Sequence, residues 1–197
     1  MTHASEPNSE LLTPERLWTR DEVLARPSPV PNTAGVYAWW FKQVPPGIAV
    51  EPCRSHEGRT LLYIGISPRA PYQDGRVSSQ HLRKRLQYHY RGNAAGSTLR
   101  LTLGCLLADE LGIELRRTGS GQRMTFGTGE ERLSQWMGAS TAVSWFATSE
   151  PWIVEHELIA TTYLPLNLDQ NAAHPFHRTL SDLRARARAT ARQLPVI

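Results

Sequence analysis

The sequence predicts an α+β domain, a small three-stranded antiparallel sheet flanked by helices, with an N-terminal helical extension, loop insertions and a basic C-terminal helix. Three observations lead there. Short runs rich in aromatic and β-branched residues, Val36 to Phe41, Leu61 to Ile66 and Ala142 to Ala147, read as strands. The stretches between and after them carry leucines and charges at helical spacing, and the order of these elements permits a single sheet with helices packed on it. At 197 residues and 40% hydrophobic content, the chain is long enough for one well-buried core with embellishments and short for two full domains.

Taken in order, residues 1 to 12 are polar and read as frayed. Thr13-Pro14 and Thr19-x-x-Glu22 are helix-start signals for one or two short helices ending at Pro27, and Pro27, Pro29 and Pro31 form a stiff linker into the first strand. The stretch 43–59, with Pro45-Pro46-Gly47 and Pro52, reads as an inserted loop, and 68–79 as a second one. His81 to Tyr90 is a basic helix whose Leu82 and Leu86 form a core stripe. Arg85 and His89, four residues apart, lie along the border of that stripe, so both are expected to face a cleft edge. Ser97 to Leu111 reads as one leucine-rich helix stopped by Gly112, and Ile113 to Phe126 as a small hairpin folded at Gly119-Ser120-Gly121 outside the core, within an insertion at 113–128. A helix from about Glu130 to Met137 is opened by Thr128-x-x-Glu131. The helix around Glu155 has Ser149 as its N-cap, apolar surface from Trp152, Ile153, Leu158 and Ile159, and a stop at Pro165. The strand aromatics Trp39, Trp40, Phe41, Trp145 and Phe146, which could be taken for base-stacking platforms, are better read as packing.

Charge and composition narrow the partner. The net charge of +4 and pI near 9.4 favour an anionic partner modestly, and the distribution favours it more. Arg83, Lys84, Arg85, His89 and Arg91 cluster on one helix, while Arg178, Arg184, Arg186, Arg188 and Arg192 load the C-terminal one, where they either form a solvated face or track a polyanionic backbone. Cys53 and Cys105 have no CxxC partner, which argues against a zinc ribbon or a disulfide framework and for a reducing, cytoplasmic setting. His174-Pro175-Phe176-His177 has no third ligand nearby and reads as loop packing. No apolar run approaches the length of a membrane span, so a soluble protein without membrane partners is expected.

One ordered set of residues carries chemistry. Hydrolysis of a phosphodiester builds negative charge on the phosphorus oxygens and needs a base for the attacking water. Tyr37 and Tyr63 project phenols from neighbouring strands, Arg85 offers a fixed fork of donors for phosphate, and Glu155 can hold a divalent cation while water fills its other positions. A free tyrosine titrates near ~10, so as a base it needs help from metal, Arg85 or His89. His89, near ~6.5 when unperturbed, could take the proton itself. These residue types do not choose between Tyr37, Tyr63 and His89.

The same residues resemble the GIY-YIG nuclease domain of bacterial repair incision subunits, homing endonucleases and some restriction enzymes. Gly35-Val36-Tyr37 matches the first signature with valine for isoleucine, and Tyr63-Ile64-Gly65 matches the second unchanged. Leu82-Arg83-Lys84-Arg85-Leu86 resembles the family's helix with its essential arginine at Arg85, and His89 matches a histidine that some members carry one turn later. Glu155-His156-Glu157-Leu158-Ile159 and Pro165-Leu166-Asn167 resemble the segments holding the metal-binding glutamate and the closing asparagine, a register that selects Glu155 over Glu157. Each piece alone is weak; their joint occurrence in order is not.

What the resemblance implies is a GIY-YIG-like domain over residues 32–171, an N-terminal extension and linker over 1–31, and a basic helical tail over 172–197. It implies an endonuclease that cuts DNA with a single Mg²⁺ or Mn²⁺ held by Glu155. Tyr63 or Tyr37 would be base or water-orienter, Arg85 phosphate clamp, His89 proton partner and Asn167 support, with Arg83, Lys84 and Arg91 binding nucleic acid around them. One site per chain predicts nicking unless two copies pair. Two other readings are weighed against this one: a nucleic-acid-binding module that kept the fold without useful cutting, and a nuclease acting on RNA, for which nothing in the sequence reads a 2′-hydroxyl.

Overall fold

The computed structural model describes residues 7–71 and 78–197. Among them the chain folds into mixed α/β structure around one main antiparallel sheet. Its three long strands are the expected ones: β2 (Gly35–Phe41), β4 (Arg59–Ser67) and β7 (Thr141–Ala147). Two residues of β1 (Trp18–Thr19) and two of β3 (Ser55–His56) extend it, giving the order β1-β7-β2-β4-β3. The β3 pairing comes from within the 43–59 insertion. Central β2 is hydrogen-bonded on both sides and buried along its whole length, which is why its sequence reads as unbroken hydrophobic surface.

Alternation along β2 divides the core. Tyr37, Trp39 and Phe41 point to one face and Val36, Ala38 and Trp40 to the other. The first face is covered by α2 (Arg20–Leu24), α3 (Leu82–Arg91), α4 (Thr98–Leu106), α6 (Gly129–Ser140) and α8 (His177–Gln193) through Val23, Leu86, Leu103, Met137 and Leu180. The second is covered by α1 (Pro7–Leu12) and α7 (Pro151–Thr161) through Leu11, Leu158 and Ile159. The β2–β4 register shifts between Trp39 and Trp40, leaving Leu62 as the extra residue. This bulge keeps Leu61 opposite Trp40 on one face while Leu62 and Tyr63 both serve the other.

Several expectations are corrected. Residues 1–6 and 72–77, which fall in the expected frayed end and second insertion, lie outside the described residues, but 7–12 are not frayed. They form α1, with Leu11 fully buried and its carbonyl accepting a hydrogen bond from the Ser144 hydroxyl at 3.2 Å, because the second sheet face needs a cover that α7 alone does not supply. Thr13-Pro14 starts no helix; only the Thr19 signal does, with Glu22 accepting from the Thr19 N–H at 2.9 Å. The leucine-rich helix breaks at Leu107 into α4 and α5 (Ala108–Leu111), closed by Gly112 in the left-handed conformation. The hairpin of β5 (Arg116–Thr118) and β6 (Arg123–Thr125) forms its own sheet, yet Ile113, Leu115 and Phe126 beside it are buried in the core. Thr128 does not cap α6, since its own backbone is already helical (φ −63°, ψ −20°) rather than extended, and its side chain makes no cap hydrogen bond. Ser149 does not cap α7, which opens at Pro151, a residue with preset φ and no N–H to satisfy, and Ile153 on that helix is exposed.

No helix among the described residues is long and apolar enough to cross a membrane. Cys53 and Cys105 are buried free thiols, each pushed up to about 11 by burial.

Candidate active site

The site is assembled on the outer edge of β4. Tyr37 lies opposite Gly65 across the β2–β4 ladder, and its ring crosses the space a side chain there would fill: a Cβ on Gly65 would stand 2.7 Å from the Tyr37 hydroxyl oxygen. Tyr63, two residues back on β4, shares that face, and the two rings sit 6.5 Å apart at a 38° tilt. Beyond residues 59 and 60 no β3 residue pairs with β4, so the segment after α7 takes over the edge. Leu166 N–H donates to the Leu62 carbonyl at 3.1 Å. Asn167 clamps Ile64 at two points, its Oδ1 accepting from the Ile64 N–H at 3.0 Å and its Nδ2 donating to the Ile64 carbonyl at 2.8 Å. The side-chain amide thus stands in for a neighbouring strand and satisfies two buried backbone groups next to Tyr63.

Helix α3 delivers the cation. The His81 ring caps it by accepting from Lys84 N–H, and the Arg83 guanidinium fastens it to the Val30 carbonyl at 2.6 Å. Arg85, half-buried, donates from Nε to the Tyr37 hydroxyl at 3.4 Å and from Nη1 to the Gly96 carbonyl at 3.0 Å. Lys84 and Arg91 are exposed on the outer side of the helix.

His89 does not reach the cleft edge expected for it. It is fully buried behind Tyr37, its Nε2 2.8 Å from the Tyr37 hydroxyl and its Nδ1 2.7 Å from the Ser97 hydroxyl, with the Trp39 ring edge-on to it. The 100° turn per residue carries position 89 from the stripe border into the core once Tyr90 and Leu86 are seated. Burial holds this imidazole well below its ordinary value, and the Arg85 and Arg100 cations add to the effect, so it stays neutral. Burial also pushes both phenols up. For Tyr37 the Arg85 charge opposes the rise, while for Tyr63 the neighbouring Tyr37 reinforces it.

Tyr37, Tyr63, Arg85, Glu155 and Asn167 line one cavity of about 360 Å³. Glu155 reaches it from the second turn of α7. Burial pushes its carboxyl up to about 7, and the charge of Asp169 adds to the rise. A carboxyl in that state, beside a second carboxylate, suits a hard divalent cation, which restores the charged form. Among the described residues no three His, Cys, Asp or Glu side chains form a metal cage, so water or substrate oxygens would complete the shell. A cavity of about 420 Å³ between α1 and the stacked Trp18 and Trp145 is lined by Glu10 and Glu15 together with Arg16, whose guanidinium lies over the Trp18 ring.

The same cleft contains residues that sequence reasoning had not gathered: Arg69, Thr98, Thr102, Asp169, Gln170 and Arg184. Asp169 and Gln170 follow Asn167 so closely that their presence could have been read. Arg184 belongs to the tail arginines expected either to track a phosphate backbone or to form a solvated face, and its spacing to Leu180 and Ala187 on the apolar stripe of α8 is what sets it apart from the others.

The family described as the GIY-YIG catalytic domain matches residues 35–186, more than half of the chain. No curated protein and no solved structure matches it.

Proposed function

The chain belongs to the GIY-YIG catalytic domain family and carries a nuclease-type domain; on that footing we propose that it is an endonuclease hydrolysing DNA phosphodiester bonds with the help of Mg²⁺ or Mn²⁺. One observation carries the proposal: two phenols, a guanidinium and a carboxylate from four separate elements converge on a single cavity.

A divalent ion held through the Glu155 carboxylate would supply charge to a phosphate oxygen and acidity to a bound water. The protein's own groups do the rest. With Nε and Nη1 engaged among the described residues, Arg85 has Nη2 left for a non-bridging phosphate oxygen, and as a guanidinium it keeps its charge in the cleft. Tyr37 serves as the base for the attacking water by relay, taking the water's proton as its own passes to His89. In the tautomer protonated at Nδ1, His89 donates to Ser97 Oγ and accepts from the Tyr37 hydroxyl, so a neutral imidazole stands behind the phenol to take its proton. Tyr63 orients the attacking water. Asn167 contributes by holding β4 in place, and Lys84 and Arg91 contact backbone phosphates further out.

Supercoiled plasmid and labelled single strands of DNA and RNA, incubated with the protein in Mg²⁺ or Mn²⁺, test this, with chelator and Glu155→Ala as controls. Metal-dependent nicking of the plasmid, lost in both controls, is expected. Salt-sensitive DNA binding with no cutting of any substrate would identify a binding module instead, and preferential cutting of RNA would move the substrate. Linear plasmid as first product would indicate paired copies.

A further inference from the structure

Resting on the nuclease reading, we propose that Arg184 of α8, with Thr102 of α4, forms a second phosphate subsite in the cleft, separate from the one at Arg85. The inward stripe of α8 runs through Leu180, Leu183, Ala187 and Ala191, and Arg184 falls within it, four residues after Leu180 and three before Ala187. That face packs on α4, and Arg184 and Thr102 line the same cavity. Its Nε is buried and has no hydrogen-bond partner among the described residues. Asp169 lines the same cavity and acts on Arg184 only through longer-range charge.

A cation placed among leucines and alanines with an unsatisfied donor is an expensive arrangement for stability alone. Replacement of such a group by an apolar residue of similar volume is commonly neutral or stabilising. The arrangement makes sense when an anion completes it, and in a cleft that takes a phosphodiester the anion is a backbone phosphate. Arg184 offers a planar fork and Thr102, almost fully buried, a hydroxyl donor, while the rigid helix pair gives both a fixed position. The subsite would thus fix the path of the strand across the cleft, while Arg85 serves the reacting phosphate.

The test compares wild type, Arg184→Met and Arg184→Lys for binding of a fluorescein-labelled DNA duplex in chelator, over a range of salt concentrations, alongside thermal midpoints. Expected for Arg184→Met are about tenfold weaker binding, a salt slope reduced by about one and a midpoint not lowered. Arg184→Lys should keep the slope. In cleavage, the methionine variant should raise KM more than it lowers kcat. Unchanged affinity and slope in a folded Arg184→Met protein would overturn the subsite, and so would a lowered midpoint without a change in slope, which marks a structural role. If the methionine variant does not fold, Arg184→Gln is read in the same way. If no form of the protein binds DNA, the nuclease reading fails, and thermal stabilisation by inorganic phosphate decides the subsite. Loss of that stabilisation in Arg184→Met alone sustains it; its retention, or its absence from wild type, overturns it.

Discussion

Arg100 and Arg184 project from neighbouring helices, α4 and α8, and their environments could hardly differ more. Arg100 is fully buried behind the site and its donors are engaged: Nε and Nη2 on the Glu130 carboxylate at 3.0 and 2.7 Å, Nη1 on the His89 carbonyl and the Ser134 hydroxyl, each at 3.0 Å. Glu130 in turn accepts from Ala94 N–H, Phe126 N–H and the Thr125 hydroxyl. One ion pair thereby ties α3, α4, α6 and the hairpin together. Arg184 lies at the front, half-buried, with its Nε unmatched among the described residues. A saturated arginine has nothing left to offer a ligand, whereas an unsaturated one in a cavity is a receptor in waiting. Residue type alone would class them together; burial and the pairing of Nε separate them.

The largest effect should come from breaking the saturated side. Arg100→Met leaves Glu130 charged, enclosed and short of partners, and should cost about 3–5 kcal/mol in urea denaturation. Pairing it with Glu130→Gln should recover much of the loss. A single-variant cost below about 1 kcal/mol would mean that the knot is not structural.

Next comes the cleft. Arg85→Ala should lower turnover about 10²- to 10³-fold, in the range seen when one electrostatic donor to a transition state is removed, with the urea midpoint little moved. Turnover within tenfold of wild type would contradict the assignment of Arg85 as phosphate clamp. Asn167→Ala belongs to the edge between the two regions. It strips both partners from Ile64 and should cost about 1–3 kcal/mol for each unsatisfied backbone group, with faster amide exchange at Ile64. A protected Ile64 amide in that variant would show that water or another residue can replace the clamp.

His89 touches both regions, and its titration gives the smallest and most specific signal. Its folded-state pKa is depressed below the ordinary 6.5, so between those two values the unfolded chain binds a proton that the folded protein does not. The stability tied to neutral His89 is therefore complete above about pH 6.5 and declines as pH falls, by up to about 1.4 kcal/mol per unit, until the folded-state pKa is reached. The difference in unfolding free energy between wild type and His89→Gln should be flat from pH 8 to about 6.5 and narrow below it. A difference that stays constant down to pH 5 would place the imidazole in contact with water after all.

How much of this could be read beforehand follows from the range over which each interaction acts. The three long strands, α3 and α7 were legible because apolar alternation and helical spacing are local patterns. The short strands β1 and β3 were not, since two-residue pairings are chosen by the partner edge. Tyr37, Tyr63, Arg85, Glu155 and Asn167 were named from order along the chain, which resembles a known family. That His89 would turn inward was legible in its spacing, three residues after Leu86 and seven after Leu82 on the buried stripe; only its partners, the Tyr37 and Ser97 hydroxyls, were chosen by the fold. Ser149 and Thr128 were plausible caps that the local backbone overrode, by a proline at the first helical position in one case and by a helical φ and ψ at the threonine itself in the other.

By itself, then, the sequence determined which residues could do chemistry and on which kind of element each would stand, because side-chain type and periodicity are properties of neighbours within a few positions. Tertiary structure decided which of them meet. It brought α8 back over α4 so that Arg184 enters the cleft, placed His89 behind Tyr37, and let Asn167 act as the missing strand beside Tyr63. Those outcomes depend on the packing of surfaces that lie tens of residues apart, and only the folded core sums them.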